Sequence, residues 1–279
     1  MNKIAYIALF FLGFLVQGDN TVVSPVLPEI ASDLEISISL AALAVTGYLL
    51  PFGIFALFQG PAADRFGKTR IIIMAGFGTA IFSATSGLAF SLPVLIFLRA
   101  VNGFFASGII PITVSFIGDN WRGEEKQNQI GAYLGFTFLG QATGTAIGGS
   151  LTQFISWRIV FFLYGGLELV AGALILFKLL PEKSAENRGG NIVYAELLRK
   201  QKLLIIIPLI IINGFIVYGA FAFMGGHLEE VLAFNYLQIG FILSFFGLAA
   251  YSVGQKSGWL RNYLKRNIFL CLESWGLYP

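Results

Sequence analysis

Eight stretches of the chain stay apolar for about 20 residues at a time, the length of helix that crosses the hydrocarbon core of a bilayer. They run approximately over 4–28, 39–59, 71–91, 94–117, 128–150, 157–179, 203–224 and 236–254. Short polar connectors separate them. The longest, PEKSAENRGGNIVYAELLRKQK at 181–202, follows the sixth run and divides the chain. The pattern predicts an all-α membrane protein of about eight transmembrane helices, with a six-helix bundle over 1–180, a central loop over 181–202 and a second, shorter unit over 203–279. The first run has two readings. Lys3, the apolar stretch to Val16 and the small residue Gly18 fit a cleaved signal peptide. The apolar sequence that resumes at Thr21 and continues to Pro28 favours a retained span.

Composition agrees with lipid as the solvent. Hydrophobic residues make up 56% of the chain, charged residues 12%, and the mean hydropathy is +0.78. A soluble domain carries about 25% charged residues, so this chain cannot cover a water-facing surface. The 33 glycines and 28 phenylalanines suit helices packed closely in lipid. A lone Cys271 and a lone His227 exclude a disulfide framework and a Cys/His zinc site. Without a basic, aromatic-interleaved patch, nucleic acid is not an expected partner. No span carries a metal-binding cluster or a nucleophile beside a base, so an enzyme is not expected and no metal or cofactor is implied.

The placement of charge orients the helices. Sixteen of the 18 Lys and Arg residues fall at the N-terminus or in the connectors after runs two, four, six and eight. The opposite connectors hold Glu29, Asp33, Glu35, Glu229 and Glu230, and only Arg158 borders them. Basic connectors stay inside, which predicts a cytoplasmic N-terminus and central loop.

Three charged side chains remain within spans: Asp19, Arg99 and Glu168. Each costs about 2.5–3.5 kcal/mol at a helix centre on insertion scales. Such residues face a bundle interior, a partner or a water-filled cavity. Asp19 stands about 14 Å from the outer end of the first run, counting from Pro28, and Arg99 lies in the same outer half, so the two can pair. Glu168 is near the middle of the sixth run. Asn20, Asn102, Gln17 and Gln141 add polar groups at similar depths. Two readings are open for this set: a proton or cation relay lining a substrate cavity, or a static ion pair that locks helices together.

The connector after the second run reads Gly60-Pro61-Ala62-Ala63-Asp64-Arg65-Phe66-Gly67-Lys68-Thr69-Arg70. It resembles the loop signature of the major facilitator superfamily, Gly-x-Leu-Ala-Asp-Arg-x-Gly-Arg-Lys, with Ala62 in place of leucine. Gly60 suits close helix approach, Gly67 a tight turn, and Asp64 the N-terminus of the third helix. Leu98-Arg99-Ala100-Val101-Asn102-Gly103 is similar to the family's Arg-x-x-Gln-Gly motif, with Asn102 for glutamine. Gly131, Gly140, Gly144, Thr145, Gly148 and Gly149 resemble the helix-five motif of the drug/proton antiporters, with Thr145 in place of proline. A generic glycine-packed helix explains the same spacing. Asp19-Asn20-Thr21 through Pro28, and Trp157-Arg158 before Phe161-Phe162, also look like helices one and six of such exporters. The resemblance covers residues 1 to about 267. It implies proton-coupled efflux of small molecules by alternating access, driven by a proton gradient without a cofactor, in a cell-membrane protein that is monomeric at full length. Arg99 would take part in coupling. A sugar, amino-acid or metabolite carrier of the same fold is the runner-up, and a non-transporting scaffold or regulatory fragment is the alternative outside transport.

The family is built from two six-helix halves. Gly258 to Arg266 reads as a degenerate second copy of the loop signature, which supports that plan. The following IFLCLESWGLYP is too short and too polar for a ninth span. The expectation is therefore a complete first bundle with a partial second one, left by a frameshift or premature stop, with a genuine eight-helix protein as the alternative. Rocking one half against the other needs both, so the 279-residue chain alone is expected not to transport. Gradient-driven flux by that chain would overturn this.

Overall fold

The computed structural model describes residues 3–178 and 201–255. Among them the chain forms eleven helical segments: α1 (Lys3–Thr21), α2 (Val23–Asp33), α3 (Ile38–Ala41), α4 (Leu43–Phe66), α5 (Lys68–Ser86), α6 (Leu92–Ala106), α7 (Ile109–Asn120), α8 (Gly123–Phe154), α9 (Trp157–Lys178), α10 (Gln201–Glu230) and α11 (Tyr236–Gln255). The described residues hold no strand. Each apolar run of the sequence corresponds to a helix or a pair of helices. Among the described residues, five stretches are long and apolar enough to cross a membrane: Lys3–Thr21, Ile38–Phe66, Lys68–Ser86, Leu92–Asn120 and Trp157–Lys178. The polar Gln, Thr and Gly positions of α8 dilute its hydropathy, yet it packs fully into the bundle, against α1 and α11 above all.

Helix ends differ from the sequence expectation where the hydropathy signal fades before the backbone hydrogen bonding does. The first run is two helices, α1 and α2, and it continues past Glu29 to Asp33. The fourth run breaks between α6 and α7 at Ser107–Gly108. Glu229 and Glu230, expected in a connector, close α10. Asp64 lies in the last turn of α4 rather than ahead of α5, and the turn itself falls on Gly67, whose φ of 94° is the left-handed region that favours glycine. Residues 181–200 of the expected central loop, the second loop copy at 258–266 and the segment after it lie outside the described residues.

Two cores separate the halves. The larger unites Leu9, Leu12 and Leu15 of α1, Ile72 of α5, Leu95 of α6 and Phe161 of α9 with residues from every other helix of the first six runs except α8. α1 is therefore an integral stave of the bundle. The smaller joins Phe221 and Leu228 of α10 to Ile239 and Leu243 of α11. α8 runs parallel to α1 and antiparallel to α11: Gly140, Gly144 and Gly148 stand against Phe14, Gly18 and Val22, while Gly149 meets Gly240 and Ala142 meets Gly247. The alternation of directions that the charge pattern predicts is thus present in the packing. We refer below to the basic end (Lys3, Lys68, Arg122) and the acidic end (Glu29, Asp33, Glu229).

Local chemistry sets the connections at the acidic end. α11 opens on a reciprocal cap in which Gln238 N donates to Asn235 Oδ1 (2.9 Å) and Asn235 N to Gln238 Oε1 (3.0 Å). Replacing Asn235 with alanine removes the side-chain acceptor and is expected to cost about 1 kcal/mol, read as a lower unfolding temperature of the protein in detergent. Arg158 donates to Asp33 Oδ2 (2.7 Å) and to Ala89 O (2.9 Å), and Trp157 Nε1 donates to the same Asp33 oxygen (3.2 Å). This ties α2, the α5–α6 loop and the start of α9 together, and it neutralises the one basic residue that the charge pattern left at this end. Both partners of the pair are half-exposed, so its net contribution is below about 1 kcal/mol.

Candidate functional site

The centre of the first bundle is an ion pair closed off from solvent. Asp19 comes from the last turn of α1, and Arg99 from the middle of α6. Arg99 is 0% exposed and Asp19 1%. Arg99 Nη1 donates to Asp19 Oδ2 (3.1 Å), and Nη2 donates to the Asp19 carbonyl (3.3 Å). Asn102, three residues on and so on the same face of α6, donates from Nδ2 to the same Oδ2 (2.8 Å). Ser83 of α5 donates from Oγ to the other carboxylate oxygen (2.8 Å). The guanidinium lies over the Tyr48 ring of α4 at 4.4 Å and faces Phe161 of α9 at 5.4 Å. Five helix segments therefore converge on one carboxylate and one cation. An unpaired charge in this setting would be prohibitively costly. A pair with its lone pairs filled by Asn102 and Ser83 is tolerated.

Glu168 lies close by on α9, fully buried, and neither of its carboxyl oxygens accepts a hydrogen bond. The Thr79 hydroxyl of α5 adjoins it but directs its proton to the Gly76 carbonyl (3.0 Å). Tyr164, one turn before Glu168, packs its ring edge and hydroxyl against Gly18, and that hydroxyl has no partner. A second polar patch borders the pair: Gln17 Nε2 donates to Gln141 Oε1 (3.4 Å), and Thr21 Oγ1 to the Gln141 carbonyl (3.3 Å).

Of the residues singled out in the sequence, Asp19, Arg99 and Asn102 meet directly, Glu168 adjoins them, and Gln141 sits one patch away. Asn20 is half-buried and stays outside the Asp19 hydrogen bonds. The helix-five positions divide. Gly140, Gly144 and Gly148 face α1 and the start of α2, and Gly149 faces α11. A side chain at Gly131 would meet nothing within 4 Å, so Gly131 takes no part in close packing. Thr145 Oγ1 donates back to Ala142 O (2.9 Å), and the Thr145 carbonyl lies against Gly240. In the loop signature, Gly60 also borders open space, which does not fit a role in close helix approach. Asp64 and Arg70 are exposed, Arg65 stacks on Phe66 at 5.3 Å, and Lys68 pairs with Asp119 of α7. Sequence reasoning missed Ser83, Tyr48, Phe161, Tyr164 and Asp119. The i, i+4 polar pairs Thr79/Ser83 and Tyr164/Glu168 in otherwise apolar runs were the available signal.

A bundle of apolar helices closed around a buried acid–base pair is the architecture of a multi-pass membrane protein. The family model described as Major Facilitator Superfamily matches residues 9–272, and the chain belongs to that family. Among curated proteins it is similar to a puromycin resistance protein of Streptomyces alboniger (32% identical over 184 residues, 66% of this chain and 36% of that protein). It is also similar to a tetracenomycin C resistance and export protein of Streptomyces glaucescens (29% over 176 residues, 62% and 33%). The matched region spans about a third of the length of these relatives. Among solved structures, a bacterial homologue of the human lysosomal transporter Spinster, inward-facing and unoccupied, superposes with a TM-score of 0.76 at 18% identity. That match covers 96% of this chain and 64% of the other. The fold is thus the major facilitator fold, that of a multi-pass protein of the lipid bilayer.

Proposed function

We propose that these residues form the proton-coupling part of a secondary transporter that exports organic small molecules in exchange for protons. The observation that carries this is the Asp19–Arg99 pair, sealed at the heart of the first bundle with Ser83 and Asn102 completing the carboxylate's shell. Protonating Asp19 removes the charge that holds Arg99, and the five helix segments that meet at the pair are then released together. A change of protonation at one atom thereby becomes a change in helix packing. Resistance and export in the names of the similar Streptomyces proteins support a drug-like substrate. The excess of Lys and Arg at one end supports a cytoplasmic N-terminus in a cell membrane.

Puromycin binding to the purified chain in detergent, in weakly buffered solution with a pH-sensitive dye, tests the proposal. Binding is expected to release protons, and Asp19→Asn is expected to bind without release. Binding with no proton release in the unaltered chain would remove the coupling. No binding of puromycin, with binding of a sugar, amino acid or organic acid instead, would move the substrate to the metabolite class.

A further inference from the structure

The pocket around Arg99 holds one more acid than it can pair. Asp19 and Glu168 are both inside the bundle, at 1% and 0% exposure, and the guanidinium is the sole cation among the described groups that face them. The titratable groups around Glu168 are Asp19 from α1, Arg99 from α6 and Tyr164 from its own helix, and α5 contributes the Thr79 hydroxyl. With both acids ionised, the pocket would carry an uncompensated negative charge away from water, which apolar surroundings penalise heavily. One proton therefore belongs to the pair. Asp19 holds three side-chain donors, whereas Glu168 has beside it only the Thr79 hydroxyl, which is engaged with Gly76 O, so in this arrangement the proton is on Glu168.

The two acids sit at different depths. Ser83 of α5 donates to Asp19, and Thr79, four residues earlier on the same helix, adjoins Glu168. α5 starts at the basic end with Lys68, so Glu168 lies one helical turn, about 5.4 Å, nearer that end. Tyr164 fills the gap: it is one turn from Glu168 along α9, it abuts Gly18 beside Asp19, and its hydroxyl is unpartnered. Arg99 Nε is also unpartnered, so the guanidinium has a donor free for a second acid.

We propose that Glu168 is a second proton-binding site, sharing a single proton with Asp19 and competing with it for Arg99. The inference rests on Asp19–Arg99 as the coupling pair. In one state Asp19 is the carboxylate, bound to Arg99, and Glu168 is the neutral acid. When Asp19 takes a proton from the acidic side, the O–H bond formed there frees Arg99. The guanidinium moves to Glu168, whose O–H bond breaks, and that proton leaves toward the basic end. Transfer from Asp19 to Glu168, with the Tyr164 hydroxyl donating to Glu168 as it accepts from Asp19, restores the first state, and exchange requires that this transfer occur only with the return of the bundle that carries substrate. The states before and after this exchange each hold one proton and zero net charge; between uptake at Asp19 and release from Glu168 the pocket carries two protons and the single positive charge of Arg99.

Infrared spectroscopy of the 279-residue chain in phosphatidylcholine vesicles at neutral pH tests this without substrate or flux, reading the C=O stretch of protonated carboxyls. The unaltered chain is expected to show a carboxyl band that Glu168→Gln removes. The same band is expected to vanish in Asp19→Asn, because Arg99 then pairs with Glu168 and its proton is lost. Persistence of the band in Asp19→Asn would overturn the sharing. Identical spectra for the unaltered chain and Glu168→Gln would overturn the assignment of the proton to Glu168. Circular dichroism and a single elution peak qualify each variant. If Glu168→Gln fails them, Glu168→Asp assigns the band by its shift. A puromycin experiment without proton release would remove the transport reading while leaving this spectral result standing, so the two can fail separately.

Discussion

Arg99→Ala lowers the stability of the protein by about 3–5 kcal/mol, the cost of breaking a buried ion pair from one side. The physical reason is what the substitution leaves behind. Asp19 keeps its bonds to Ser83 and Asn102 but loses its only counter-charge, and the slot between the Tyr48 and Phe161 rings empties. Arg99→Lys recovers little, because a single ammonium cannot reach both the Asp19 carboxylate and its carbonyl while stacking on Tyr48. Removing both charges, as Asp19→Asn with Arg99→Met, is expected to be milder than Arg99→Ala alone, since an apolar replacement of a buried pair is often close to neutral. Thermal unfolding in detergent, followed by loss of helix signal, compares the three. If the double variant unfolds below the single one, the pair stabilises the bundle beyond its charge balance.

The second large effect falls on the helix-five glycines. Leucine at Gly144 would place its Cβ 2.7 Å from the Gly18 Cα, and the obstacle is backbone, which cannot rotate away. α1 and α8 must then part, at a cost of about 3 kcal/mol or more. Because Gly18 adjoins Asp19 in the chain, the ion pair is displaced with it. Gly131→Leu on the same helix meets nothing within 4 Å and is expected to change stability by less than about 0.5 kcal/mol. Comparing the two variants separates close packing from a general intolerance of bulk on α8. Equal losses would show that the glycine spacing is not what brings these helices together.

Hydropathy made the helices legible because every lipid-crossing segment must be apolar over its whole length. It could not place their ends. α2, α4 and α10 continue through Asp33, Asp64 and Glu230, where water already satisfies the side chains and polarity no longer says whether the backbone is helical. Asp19, Arg99 and Asn102 could be singled out because a charge or amide within an apolar run is costly and therefore conspicuous. Ser83 was not, since a serine hydroxyl in a helix can satisfy itself on the preceding turn, and Tyr48 was not, since an aromatic ring in an apolar run looks like any other core residue. Asn20 and Asn102 are the same residue type at similar depth. Only the three-dimensional fold, which turns the Arg99 and Asn102 face of α6 toward Asp19, separates the one that binds it from the one that does not.

At its glycines α8 presents bare backbone to its neighbours, Gly140 and Gly144 to α1 on one flank and Gly149 to α11 on the other, while Tyr133 and Phe136 add side-chain contacts toward α1. Helices that interdigitate side chains resist sliding, because each ridge must climb out of its groove. The Gly149–Gly240 and Ala142–Gly247 contacts have almost no ridge to climb. The seam between the two halves is therefore tight yet smooth, and α8 works as the journal of a plain bearing. It holds the halves at close range with few side-chain ridges at these contacts, while Ser24 against Phe221 and Ile38 against Gly226 tie the halves elsewhere along the seam. The force that sets the angle between the halves must come from elsewhere in the protein.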